Sequence, residues 1–395
     1  MGPDCFGVYV HFPYCRQRCP YCDFAVSVQP SVPHERYRDQ VLAELAARAP
    51  LYAGRALVSI YFGGGTPSLW RPDCIAAVRR AVLATFPPRP GIEPEVTVEA
   101  DPADLSDEVL LGLRAAGVNR LSLGVQSLTD RHLLRLGRQH DAAQARSAVA
   151  RARAAGFANL SLDLMIGLPG QRWRELEEDL EGFLSLAPEH LSVYQLTVEP
   201  GTALAAAVRA GKVRMPGDAR QAEAYQRARL RLQEAGYQHY EISSYARGGG
   251  QDLRAVHNRL YWTLGEYLGL GVSAHSFRRL PDGGGERFAN PRSTRQYLAR
   301  AFVPALEPAD DASLAYHERL EPEALARQGL WLGLRLLEGL SLDGFRQQHG
   351  YDPLLRHGDE IGRLLARGLL ERSGDVLRLT SRGVLLADEV GVALV

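Results

Sequence analysis

Three of the chain's five cysteines fall within eight residues, as Cys15-x-x-x-Cys19-x-x-Cys22, directly after the apolar run Gly7 to Phe12. That run is β-branched and aromatic, and it reads as a short strand that Pro13 ends. The cysteines therefore lie on a loop, where several thiolates can turn toward one point. Three convergent thiolates suit a soft metal centre, either zinc or an iron–sulfur cluster. Structural zinc normally takes four protein ligands, often as two Cys-x-x-Cys pairs, and the chain has no second pair. Three ligands on a four-iron cluster would leave one iron open. Cys5 and Cys74 stand alone and read as small apolar residues. So few cysteines in 395 residues, behind a Met1-Gly2-Pro3-Asp4 start with neither a basic region nor an apolar core, predict a reducing, cytoplasmic setting and no disulfide framework.

Length 395 predicts more than one domain. A formal net charge of +0 gives no basic field for nucleic acid. No apolar run is long enough to cross a bilayer. From Gly7 to about Leu196 a short apolar strand and a longer helical segment alternate. Val8–Phe12 precedes Glu35–Arg48, Leu57–Phe62 precedes Pro72–Phe86, and Val96–Ala100 precedes Asp107–Ala116. Leu121–Val125 precedes helical stretches to Ala155, Leu160–Met165 precedes Trp173–Leu186, and Leu191–Leu196 precedes Ala219–Ala235. Six such units predict an α/β fold with a parallel sheet and helices outside, as an open sheet or a barrel. Right-handed crossovers then bring all strand C-termini to one edge, where ligands bind.

The polar and Gly-rich positions cluster at those strand ends. Gly63-Gly64-Gly65-Thr66-Pro67 follows the second strand; its backbone N–H groups are open to a ligand, although glycines alone would support only a tight turn. Glu99-Ala100-Asp101-Pro102 ends the third strand. Gln126 ends the fourth, with Arg138 and Gln139 downstream, and Asp163 lies inside the fifth, ahead of Gly167-Leu168-Pro169-Gly170. A carboxylate within an apolar strand is costly to bury unless paired. Together Glu99, Gln126, Arg138 and Asp163 offer donors and acceptors to a zwitterion, a ribose and an adenine; alone, each would pair inside the protein.

The cysteine spacing after an N-terminal strand resembles the signature of the radical S-adenosylmethionine superfamily. Tyr9-x-His11-Phe12-Pro13-Tyr14-Cys15, with the later Gly-Gly-Gly-Thr-Pro, looks like the oxygen-independent coproporphyrinogen III oxidase group within it. The resemblance runs over most of the chain. It implies a partial (β/α)6 barrel and a [4Fe-4S] cluster on Cys15, Cys19 and Cys22. It also implies an S-adenosyl-L-methionine site at Tyr9, Phe24, Gly64, Gly65, Thr66, Glu99, Gln126, Arg138 and Asp163. The chemistry implied is one-electron cleavage of the sulfonium to a 5′-deoxyadenosyl radical, with the difficult step carried by the cofactors.

Two features depart from the oxidase. Its fourth cysteine, two residues past the third, is here Phe24, and only eight residues precede Tyr9 where the oxidase carries an extension. Both departures resemble the HemW-type haem chaperones, a sister family. That resemblance attaches haem to the string His257-Asn258-Arg259-Leu260-Tyr261-Trp262, whose imidazole and flat rings are of the types that ligate haem iron and line a porphyrin. His275, His239 and Tyr261 are fallback ligands, and a hydrogen-bonded, half-buried histidine is the plain alternative for His257.

Arg247-Gly248-Gly249-Gly250-Gln251 and Pro281 to Glu286 read as loops, and the pattern changes near Pro304 to Asp311. The expected domains are 1–240, the barrel with its cluster; 241–310, a barrel extension with the haem-related segment; and 311–395, a winged-helix-like α+β domain. In the last, a helix from Pro322, a second around Phe345 and a third over Leu354 to Arg367 precede a hairpin at Leu369 to Thr380 and a short helix from Thr380. Its charges are mixed, so it reads as a structural or partner-docking lid and not a DNA reader. The expected function is that of a haem chaperone acting in porphyrin metabolism, with apo-haemoproteins, including those at a membrane surface, as partners. The alternatives are the oxidase and a radical enzyme on another substrate. Productive cleavage of S-adenosylmethionine and the oligomeric state stay open.

Overall fold

The computed structural model describes residues 5–304, 307–312 and 314–395. The N-terminal Met1 to Asp4 and part of the expected linker lie outside the described residues. Twelve strands form one sheet. In chain order they are β1 (Cys5–Phe12), β2 (Ala56–Gly64), β3 (Glu95–Ala100), β4 (Arg120–Gln126), β5 (Leu160–Ile166), β6 (His190–Gln195), β7 (Tyr237–Glu241), β8 (Ser244–Arg247), β9 (Glu266–Gly271), β10 (His275–Arg279), β11 (Gly285–Ala289) and β12 (Tyr316–Leu320). Their order across the sheet is β12-β11-β10-β9-β1-β2-β3-β4-β5-β6-β8-β7, which has two ends and is not a closed ring.

The six expected strands all form, and each of the first five pairs in parallel with its successor. β9 pairs in parallel with the other edge of β1, at Phe6 to His11 against Glu266 to Gly271. β1 is therefore central, which explains its almost wholly buried, continuously apolar sequence. Antiparallel hairpins extend the sheet at both flanks, β7–β8 beyond β6 and β10–β12 beyond β9.

Helices pack outside, as the alternation predicts. Under the cysteine loop, Phe12 stacks on Trp70 at 5.1 Å between ring centroids, and Tyr37 meets Phe12, Tyr14 and Trp70 edge-on. The Tyr37 hydroxyl donates to the His11 carbonyl and accepts from the Val272 N–H at 3.2 Å. Each of these fully buried rings contributes roughly 1.5–3 kcal/mol by leaving water. They set a firm base for the loop.

One helix, Val256–Trp262, packs on β1, β2 and β9. The Glu95 carboxylate caps it, accepting from the Val256 and His257 N–H groups at 3.1 and 3.2 Å. Gly7 makes room: a Cβ there would lie 2.6 Å from Leu260 and 3.1 Å from His257. We call this the plug helix.

β12 still belongs to the large sheet, so that sheet runs through Leu320, past the expected boundary at 311. The C-terminal part holds helices Pro322–Leu334, Leu342–His349 and Gly358–Ala366, with strands Leu370–Ser373 and Val376–Leu379 joined by a two-residue turn at Gly374-Asp375. Gly374 has φ +60°, which the turn demands. The third helix is not continuous from Leu354. It breaks at His357, whose backbone leaves helical geometry and whose ring meets the Tyr351 hydroxyl at 3.0 Å. A final helix covers Ala387–Leu394, beyond the short one expected.

Candidate functional site

The C-terminal edge of β1–β6 opens on a cavity of about 530 Å³. Cys15, Cys19, Cys22, Phe24, Gly64, Gly65, Thr66, Glu99, Gln126, Arg138 and Asp163 all line it. A second cavity, of about 490 Å³, lies between the cysteine loop and β9–β10. Tyr9 faces this second space, and Phe24, Asp23, Gly64 and Glu99 border both.

The loop takes its shape from close backbone contact with the glycine run. The Gly65 N–H donates to the Phe12 carbonyl at 2.7 Å, and the Thr66 N–H to Tyr14 at 2.9 Å. A Cβ on Gly65 would fall 2.8 Å from the Tyr14 oxygen, so only glycine fits. Gly64 has φ +114° and rests against the His11 ring, where a Cβ would approach to 2.6 Å. The Thr66 hydroxyl donates to Cys15 Sγ at 3.4 Å. Arg138 brings Nη1 to 3.9 Å from Cys19 Sγ while its Nη2 is paired with Asp101 and the Gly124 carbonyl.

Burial pushes the Cys15 thiol up to about 11 and raises that of Cys22. Among the described residues no three His, Cys, Asp or Glu side chains gather tightly enough for a single ion. The three thiols edge one open space.

Carboxylates line the inner wall. Glu99 accepts from the Tyr61 hydroxyl at 2.8 Å and the Gly64 N–H at 3.0 Å, and burial lifts it to about 7. Burial likewise lifts Asp163, which meets the Ser122 hydroxyl at 3.4 Å, to about 6. Gln126 is buried at φ +68°, and its side-chain carbonyl oxygen has no hydrogen-bond partner. Strained backbone and an orphaned acceptor in a cavity lined by two buried carboxylates suit a cationic ligand rich in donors. Sequence reasoning passed over Asp101, which holds Arg138 and His140 together, and Tyr194 at the end of β6. Asp101 could have been found, since it sits two residues past Glu99 at the same strand end.

The His257 string divides. Tyr261 faces the second cavity. His257 lies behind it, buried, with Nδ1 at 2.8 Å from the Ser59 hydroxyl and Nε2 at 2.9 Å from the Tyr261 hydroxyl. Burial lowers its pKa to about 3. Asn258 is half-buried, and Trp262 turns away to stack under the Arg335 guanidinium at 4.2 Å. Of the fallback residues, His275 borders the second cavity, whereas His239 is buried against Tyr245, with ring centroids 4.2 Å apart.

Residues 9–182 match the sequence profile of the Radical SAM superfamily, and 320–386 that of the HemN C-terminal domain. The chain is 33% identical to the heme chaperone HemW of Bacillus subtilis, over 97% of each chain. It is 36% identical to the mitochondrial radical S-adenosyl methionine domain-containing protein 1 of Mus musculus, over 98% of this chain and 86% of that one. Among solved structures, coproporphyrinogen III oxidase (HemN) from Escherichia coli superposes with a TM-score of 0.81 at 25% identity, over 98% of this chain and 89% of that one.

Proposed function

The chain belongs to the HemW family of radical S-adenosylmethionine proteins, and on that premise we propose that it is a haem chaperone, which binds haem and hands it to apo-haemoproteins. The observation that carries this reading is near full-length identity of 33% to a heme chaperone, against 25% to the oxidase. Phe24, exposed on the border of both cavities where the oxidase motif has cysteine, supports it.

We assign a [4Fe-4S] cluster to Cys15, Cys19 and Cys22, and S-adenosylmethionine to the cavity beside them. When bound, the pair would supply one-electron chemistry. Thr66 orients the Cys15 sulfur, and the Arg138 guanidinium lies against Cys19. Glu99 and Asp163 give a cationic ligand two carboxylates that it would draw into the ionised form. Gln126 offers its free acceptor to a donor on that ligand. Gly64 and Gly65 let a ligand approach the main chain.

Haem we assign to the second cavity. Tyr261 belongs to its wall, and His257 acts there by holding the Tyr261 hydroxyl. Among the described residues no helix is long and apolar enough to cross a membrane.

The test is anaerobic. The reconstituted protein is given reductant, S-adenosylmethionine and coproporphyrinogen III, and in parallel is titrated with haem. Saturable haem binding, release of haem to an apo-haemoprotein and no protoporphyrinogen are expected; protoporphyrinogen formation would make the chain an oxidase.

A further inference from the structure

Two histidines border the second cavity, and only one has a free ring. His11 spends Nδ1 on the Tyr9 hydroxyl at 3.0 Å and Nε2 on the Ala25 carbonyl at 3.1 Å. His275 stands exposed at the cavity's edge, its ring 6.2 Å from that of Tyr316, and among the described residues neither of its ring nitrogens meets a hydrogen-bond partner. We propose that His275 is the axial ligand to haem iron in the second cavity and that Arg292, on the neighbouring loop, pairs with a haem propionate. This inference rests on the haem reading above and moves the iron contact from the plug helix to the β9–β10 turn.

The turn that carries His275 is rigid. Gly271 has φ +97° and Ser273 φ +57°. The Ser273 N–H donates to the Pro291 carbonyl at 3.0 Å, and the Asn290 N–H to Ala274 at 3.0 Å. The Asn290 amide also donates to the Gly271 carbonyl at 2.7 Å and to the buried Glu44 at 2.6 Å. A ligand imidazole is best set on such a frame, since motion at the metal contact weakens it. The same loop carries Arg292, whose Nη2 donates to the Asp23 carbonyl at 2.6 Å on the cavity border.

The surroundings match the ligand class. Tyr9, Tyr261, Tyr267 and Phe24 supply flat walls, and 490 Å³ lies within the roughly 300–1,000 Å³ of small-molecule sites. The nearby Arg287 and Arg292 guanidiniums suit the carboxylates of a haem edge. His257, with both nitrogens engaged, would have to give up one of these hydrogen bonds to do the same.

The test uses the full-length protein with its cluster reconstituted, titrated with ferric haem. His275→Ala is expected to raise the Kd at least tenfold and to shift the Soret band, and added imidazole to restore the band. Arg292→Glu, which leaves the ligand in place, is expected to weaken binding at least threefold with an unchanged spectrum. Unaltered cluster absorbance in both variants reports an intact fold. A His275→Ala protein that binds haem with wild-type affinity and spectrum overturns the ligand assignment and leaves the chaperone reading standing. A wild-type protein with no saturable haem binding overturns both.

Discussion

His257 Nε2 and the Tyr261 hydroxyl lie 2.9 Å apart, one turn apart on the plug helix, so the imidazole faces into the protein while the tyrosine borders the cavity. Replacing His257 by alanine empties a buried site and strands both the Ser59 and Tyr261 hydroxyls. We expect a loss of about 2–4 kcal/mol in stability, read from urea unfolding. The iron-ligation spectrum of haem bound to the folded fraction should be that of wild type; loss of the imidazole signature would make His257 a ligand.

Glu99 gives a pH-dependent stability of known sign. Its folded pKa is raised to about 7 from an ordinary 4.5, so the folded state binds more protons than the unfolded state between those values. Its contribution is therefore favourable below about 4.5 and is lost as pH rises through about 7. In the ligand-free protein, Glu99→Gln should be more stable relative to wild type at pH 8 than at pH 5, by on the order of 2–3 kcal/mol. The difference between variants must be compared, because buried His11 and His257, with pKa values lowered by burial, act in the opposite direction below pH 6.5. An equal effect of the substitution at both pH values would refute the assignment.

Gly65→Ala should harm the cluster loop more than its size suggests. The added methyl group meets the Tyr14 and Pro13 main chain, which cannot rotate away as a side chain could. A loss of roughly 1–3 kcal/mol is expected, with iron per chain reduced after reconstitution. Iron and sulfide analysis beside a thermal melt checks both.

Cys19 and Arg138 are neighbours with separable roles. Cys19→Ser should abolish the visible absorbance of the cluster. Arg138→Met breaks the pair with Asp101 and should retain iron while weakening S-adenosylmethionine binding at least tenfold, measured by equilibrium dialysis under nitrogen. Full affinity in the methionine variant would remove Arg138 from the ligand site.

What could be read directly from the chain was local and periodic. The strands β1–β6 announce themselves because each is a short apolar run followed by a helix, and parallel pairing of neighbours follows from that alternation. Gly65, Glu99 and Gln126 meet at one cavity because strand ends face one edge, although their assignment to a ligand came from the family resemblance. The pairing of β9 with β1 was not, since nothing near Tyr267 signals a partner some 260 residues earlier in the chain. The direction of His257 was hidden for the same reason: its partner Ser59 comes from β2, and a string of ligand-type residues reads alike whether it faces a cavity or the core. Tyr9 was matched to the S-adenosylmethionine site, and it borders the second cavity, which shares Phe24, Gly64 and Glu99 with the first. The break at His357 depends on a contact with Tyr351 that helix propensity does not encode.

The lining of the two cavities sets an order of assembly on the ribosome. Every residue bordering the first lies between 15 and 199, whereas the second also needs 261 to 292. At roughly 5–20 residues per second, about 5–20 s of synthesis separate the last residue of one from the last residue of the other. A nascent chain would thus complete the lining of its thiol-bearing chamber while the neighbouring chamber still lacks a wall, and on the proposed assignments iron–sulfur loading would have a head start over haem that translation itself provides.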